Sequence, residues 1–306
     1  LGVKSDPIEY RYSYAWLFRL MAEEGVPHLQ FGTFFEAYQL PDSWFLDLRA
    51  DAEAQGVEIS SVFTAHRELG GFFMGDARWE TVARRNYERL IEVAVLLGAR
   101  QAGSNPGAVL RDRIWEKDAG VACYLRHMKE LMGLAHARGL ERLTIEPMSC
   151  LAEPPTLPGE IVAMAEELMA HHRATAGTVP VGYCVDVSHG YADGGRRVVH
   201  SPLALLEVAL PWTTELHLKN TGACFESTFG FGEAERGRGI IDLHVVRDLL
   251  LRHAARLPVR HMVAYLEIGG PKLGRDYSDV LLEAQLRDSI RHIRAVFGSL
   301  VVEAAG

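Results

Sequence analysis

The sequence is poor in cysteine, has no long apolar run and carries no excess of positive charge, and each shortage removes a class of function. Its cysteines, Cys123, Cys150, Cys184 and Cys224, are far apart and form no CxxC pair. That pattern supports neither a disulfide framework nor a thiolate zinc site, and it fits a reducing, cytoplasmic setting. No stretch of about 18 uninterrupted apolar residues occurs, so a membrane span is not expected. Lys and Arg total 32 against 40 Asp and Glu, a net charge of −8. Proteins that grip phosphate backbones by general electrostatics lean the other way, so a nucleic-acid partner is disfavoured. A GxGxxG turn is missing after the first strand, which runs into LGVKSDPIEY, and no Walker-type GxxxxGK[ST] occurs. The chain opens on Leu1 rather than Met, which leaves room for an upstream piece, and it shows no signal-peptide pattern.

What is present is a repeat. A helical stretch ends at a glycine and a short β-rich run follows, at Gly25, Gly56, Gly98, Gly139 and Gly177, with intervals of 31 to 42 residues. Glycine suits the left-handed position that closes a helix, and a buried parallel strand reads as a short apolar run. Such spacing accommodates one strand and one crossover helix. Further strands are expected at Leu1–Lys4, Thr213–Leu218 and Met262–Ile268, which makes eight in all. Ala83, Tyr87, Leu90, Ile91, Ala94 and Leu97 recur at helical spacing, as do Leu125, Met128, Leu131, Met132 and Ala135. Leu281, Leu286, Ile290, Ile293 and Phe297 do so more loosely. These stripes are core-facing, the methionines included. Eight β/α units in about 300 residues is the arithmetic of a single-domain α/β (β/α)₈ TIM barrel, with an open doubly wound sheet as the competitor. The barrel is assigned to residues 1–300 and a frayed tail to 301–306.

Chemistry in such a barrel sits at the carboxyl ends of the strands. There the apolar runs are interrupted by Glu146 in LTIEPM, Asp186 and His189 in VGYCVDVSH, His217 in TELHLKN and Glu267 in VAYLEIGG. Singly, a strand-end acid caps the next helix and a strand histidine is a satisfied core residue. Together they lie on neighbouring strands five to eight and must converge. Three buried carboxylates are costly without a compensating cation. Three oxygen donors and one imidazole suit Mn²⁺ first, with Co²⁺, Mg²⁺ or Zn²⁺ as the other candidates.

Glu146-Pro147, Asp186-Val187-Ser188-His189, His217-Leu218-Lys219 and Glu267 resemble the pattern of the xylose isomerase-like TIM-barrel superfamily, most closely its ketose 3-epimerase branch. The resemblance implies one divalent metal held by Glu146, Asp186, His217 and Glu267, with Glu146 and Glu267 as the catalytic proton carriers. It also implies substrate contact by His189 and by an arginine in GEAERGRGIIDL, where Arg236 is the best match. The expected enzyme is an isomerase, an epimerase or aldose–ketose isomerase of small sugars, working through a cis-enediolate. The same resemblance admits a phosphorylated or acidic sugar, by epimerisation, racemisation or decarboxylation. Relatives of this kind form dimers or tetramers, so a homo-oligomer is expected.

Other strand ends offer secondary candidates. Phe31, Phe34, Phe63, His66 and Arg67 would line the mouth, with His66 as a substrate contact. Lys4, Lys219, Lys272 and Arg275 could bind a substrate anion, Lys219 foremost, although a solvated basic rim is the plainer reading. An apurinic-site endonuclease would need a larger metal cluster and a basic face. A non-catalytic sugar sensor would be expected to have lost ligands.

Overall fold

The five repeat glycines hold the architecture together at its turns. Gly25, Gly56, Gly98, Gly139 and Gly177 all have φ between +61° and +84°, a region that strains any residue with a Cβ. The computed structural model describes residues 1–8, 11–225, 227–268 and 280–298. Lys272, Arg275 and the tail at 301–306 lie outside them.

Eight strands form the barrel: β1 (Gly2–Lys4), β2 (His28–Phe31), β3 (Glu58–Thr64), β4 (Gln101–Ser104), β5 (Arg142–Ile145), β6 (Val181–Asp186), β7 (Thr213–Leu218) and β8 (Val263–Leu266). Each pairs in parallel with the next, and β8 returns to β1, so the sheet closes. The α/β TIM barrel read from the repeat is therefore the fold. Two antiparallel hairpins were not expected. Tyr191–Ala192 pairs with Val198–His200 after β6, and Asn220–Thr221 with Thr228–Phe229 after β7.

Helices pack outside the strands, among them Ala77–Leu96 and Lys117–Ala137. Asp76 caps the first of these by accepting from the Arg78 N–H, which satisfies one donor that a helix start leaves over. The apolar stripes on both helices are buried as their spacing requires. A fully buried leucine such as Leu90 or Leu131 contributes about 2 kcal/mol of transfer free energy. The last stripe needs correcting at its start. Leu281 is 52% exposed at the cap of helix Leu282–Phe297, and Leu282 takes the buried place. Among the described residues no helix is long and apolar enough to cross a membrane.

Alternation along the strands decides which side chains reach the barrel axis. In β2, Leu29 and Phe31 point to the helices and Gln30 points inward. Phe31 packs against Tyr14, Trp44 and Phe45, so it does not line the mouth. Phe63 in β3 does face inward, with its ring 5.0 Å from that of His217 and edge-on to it. Phe34 begins a short outer helix, where the Arg67 guanidinium lies 5.2 Å from its ring.

Candidate metal centre

Local chain geometry delivers each side chain. Pro147 has no N–H to extend a ladder, so β5 ends beside Glu146, whose own N–H still reaches Ser104 of the neighbouring chain segment at 3.3 Å. After β6 the chain turns at once: the His189 N–H bonds the Asp186 carbonyl at 3.1 Å and brings the imidazole back over the acid. Asp186 and His217 are register partners in β6 and β7. Glu267 follows β8, with its N–H on the Leu218 carbonyl at 3.1 Å.

The result is one buried cluster. Ligand atoms of Glu146, Asp186, His217 and Glu267 all lie within 4.8 Å of one another. His217 is fully buried, Asp186 is 1% exposed, and the two glutamates are below 10%. His217 Nδ1 faces the acids, 2.8 Å from Glu146 Oε1 and 3.1 Å from Glu267 Oε2. Its Nε2 faces away, 2.7 Å from Gln30 Oε1.

Buried carboxylates need partners, and two lysines provide them. Lys4 Nζ is 2.8 Å from Glu267 Oε1 and 3.3 Å from Asp6 Oδ1. Lys219 Nζ is 3.0 Å from Glu267 Oε2 and 2.7 Å from Asp186 Oδ2. These two lysines do not form a solvated rim. They are largely buried and paired with the acids themselves.

Burial works to raise the Glu267 pKa, but Lys219, Lys4 and His217 outweigh it and hold the carboxyl well below its ordinary range. Asp186 is likewise lowered against its burial by His189 and Lys219. Burial opposes charge on His217, yet Cys184, Glu267 and Glu146 keep its pKa well above the ordinary value. Lys219 is raised despite burial by Asp186, Glu267 and Glu146.

The donor set suits a divalent ion. Three carboxylates and an imidazole supply oxygen and nitrogen donors from four separate strand ends. Their spacing lets single atoms meet at a common point. Cys184 is no competitor, because burial pushes its thiol up to about 12.

The remaining candidates divide. His189 joins the cluster: its Nδ1–H donates to the Pro147 carbonyl at 2.7 Å, and its Nε2 lies 3.3 Å from Asp186 Oδ2. Arg236 ends the short helix Glu233–Arg236 and donates to the Phe231 carbonyl at 2.7 Å. His66 follows β3, and its buried Nδ1 has no hydrogen-bond partner among the described residues. Neither Arg236 nor His66 is hydrogen-bonded to the four acid and imidazole groups in the described residues. Sequence reasoning passed over Gln30, Ser61 and Glu215. The signal was available for Gln30, a polar residue between the apolar Leu29 and Phe31.

A second ligand-like group lies outside the barrel, where Glu80 of one helix meets Cys123 and His127 of the next. Arg126 Nη2 lies 2.6 Å from Glu80 Oε1, and His127 Nε2 lies 2.7 Å from the same oxygen. Arg84 approaches the other His127 nitrogen at 3.5 Å.

The profile of the xylose isomerase-like TIM barrel matches residues 18–295. The chain belongs to that family. No curated protein matches the sequence at a significant level. Among solved members of similar shape is a Rhodospirillum rubrum protein provisionally named a xylose isomerase. It is 16% identical, with 97% of this chain and 98% of that one covered and a TM-score of 0.78. The D-psicose 3-epimerase of Clostridium cellulolyticum H10, crystallised with D-tagatose, is 15% identical, with 96% and 98% covered and a TM-score of 0.71. The 3-keto-D-glucoside 4-epimerase of Escherichia coli is 13% identical, with 96% and 98% covered and a TM-score of 0.64. At such identities the likeness establishes the barrel and leaves the reaction to the site.

Proposed function

We propose that this xylose isomerase-like barrel is a divalent-metal-dependent epimerase or isomerase of a small ketose. The observation that carries the reading is the convergence of Glu146, Asp186, His217 and Glu267 at the carboxyl ends of four consecutive strands. The names of the epimerases that share the barrel point the same way.

A proton next to a ketone is weakly acidic, so its removal needs a positioned base and a means of holding the charge that develops on oxygen. Glu146, Asp186, His217 and Glu267 would hold a divalent ion, which when bound would supply Lewis acidity towards the carbonyl oxygen. Glu146 and Glu267 stand just past β5 and β8, with two strands between them around the ring, and reach the substrate from different sides. One takes the proton from carbon, leaving a cis-enediolate, and the other returns a proton to the opposite face. That exchange inverts the centre. His189, its ring fixed by the Pro147 carbonyl, steadies the substrate oxygen. Arg236 and His66, in the loops after β7 and β3, are assigned to substrate contact, and Lys219 holds Asp186 and Glu267 in place at the edge of the substrate site. We take Mn²⁺ as the natural ion and a homo-oligomer as the working form.

The sugar is read as uncharged because Lys4 and Lys219 already have carboxylate partners. The test is proton exchange. Mn²⁺-loaded protein in deuterated water is mixed with ketopentoses and ketohexoses, each free and phosphorylated, and proton NMR follows the carbon next to the carbonyl. Deuterium should enter that carbon, and the epimer should accumulate, with a free ketose. Exchange with phosphorylated sugars alone would move the assignment to those substrates. No exchange with any of them, together with CO₂ release from a 3-oxo sugar acid, would replace the epimerase with a decarboxylase.

A further inference from the structure

From the buried contacts of β2 and β3 we infer that Gln30 is a positioning residue that fixes the tautomer of His217 for metal binding. The inference rests on the metal reading above. His217 turns Nδ1 to the carboxylates and Nε2 to Gln30 Oε1 at 2.7 Å. An imidazole that gives the Nδ1 lone pair to a metal must carry its proton on Nε2, and that proton needs an acceptor. Inside the barrel, where Gln30 and His217 are both fully buried, water cannot serve. The amide oxygen of Gln30 does.

The amide is itself held. Gln30 Nε2–H donates to Ser61 Oγ at 3.3 Å, and Gln30 and Ser61 are register partners across β2 and β3. The Ser61 hydroxyl lies near the Glu215 carboxyl, whose Oε2 accepts from Thr144 Oγ1 at 3.3 Å. If the amide turned over, an N–H would face the His217 N–H, and the Ser61 hydroxyl would have to turn round to donate to the amide oxygen. The chain of contacts therefore makes one orientation of Gln30 self-consistent, and with it one tautomer of His217. Outer partners of this kind set ring orientation and ligand basicity, and their loss costs about 10–100-fold in metal affinity.

Two variants and two readouts test the assignment. Gln30→Met keeps the volume and removes the acceptor, whereas Gln30→Glu keeps an oxygen towards His217. Affinity for Mn²⁺ is measured by calorimetry on the full chain. Two-bond proton–nitrogen NMR of the Mg²⁺-loaded protein reports which His217 nitrogen is protonated. The expected result is an Nε2–H tautomer in the wild type, binding weakened about 10–100-fold in Gln30→Met, and recovery to within about threefold in Gln30→Glu. A merely structural glutamine would leave the tautomer unmoved. Should Gln30→Met fail to fold, Ser61→Ala frees the amide one step further out and should weaken binding about threefold to tenfold. Equal Mn²⁺ binding by the wild type and by the folded variants, or an Nδ1–H tautomer in the loaded wild type, overturns the role of Gln30 alone. No Mn²⁺ binding by the wild type overturns the metal reading as well.

Discussion

Among the described residues two groups of side chains have the composition of a metal site, and they differ in their surroundings. Glu146, Asp186, His217 and Glu267 sit inside the barrel, buried, with His217 oriented from behind by Gln30. Glu80, Cys123 and His127 sit where two outer helices meet, partly exposed. In the outer group Arg126 takes the Glu80 oxygen, and Arg84 crowds the second His127 nitrogen. Both groups therefore carry built-in cations, since Lys4 and Lys219 pair with Glu267 and Asp186 in the inner one. Composition alone does not separate the two groups. What separates them is burial, the number of carboxylates that converge, and whether the far nitrogen of the imidazole has an acceptor, Gln30 Oε1 for His217, rather than a guanidinium.

That contrast can be broken in four ways. The largest effect is expected for Glu146→Gln, which removes a ligand and a proton carrier together. Proton exchange on the ketose should fall by about a thousandfold or more while the circular dichroism spectrum stays native. Residual activity within tenfold of the wild type would remove Glu146 from the chemistry.

Next comes Lys4→Met, which strips one partner from buried Glu267. Breaking a buried ion pair costs on the order of 3 kcal/mol, measurable by urea unfolding of the chelated protein. A loss under about 0.5 kcal/mol would mean that Lys219 alone satisfies the acid.

The third test is pH. The pKa of His217 is raised well above 6.5, against the pull of burial, by Cys184, Glu267 and Glu146. A metal can take Nδ1 only after a proton leaves, so affinity should rise with pH, by about tenfold per unit through neutrality, and level off once the raised pKa is passed. A flat titration curve from about pH 6 to 8 would show that the histidine is not a ligand.

The smallest effect is expected for Cys123→Ser. A partly exposed network of this sort contributes about 0–1 kcal/mol, and metal stoichiometry should stay at one ion per chain. A drop in bound metal would make the outer group a second site.

The barrel was legible because its punctuation is chemical. A helix that closes on a left-handed residue needs glycine, and all five repeat glycines have that conformation. The four candidate ligands were legible because charge in an apolar strand is conspicuous. Gln30 and Ser61 were harder to weigh, since an uncharged polar residue on an inner face looks like ordinary strand composition until its partner on another strand is known, and Glu215 stood two residues before the more conspicuous His217. Phe31 and Phe63 show the same limit from the other side. Both read as mouth aromatics, and alternation with the pleat sends one outward to Trp44 and the other inward to His217. Lys4 and Lys219 were seen as cations near the rim, but nothing local announces that each will be drawn into a pair with an acid more than 30 residues away. The hairpins after β6 and β7 left no clear periodic trace, because their strands are only two or three residues long.

Lys4 belongs to the first staple of the ring and Glu267 comes just after the last, so their contact straddles the seam where the two ends of the polypeptide are joined. During synthesis the ribosome has made all eight barrel strands before that acid exists. A chain cut short of Glu267 can therefore collapse, but it cannot assemble the four-group cluster, and an intact cluster doubles as a certificate that the ring has shut.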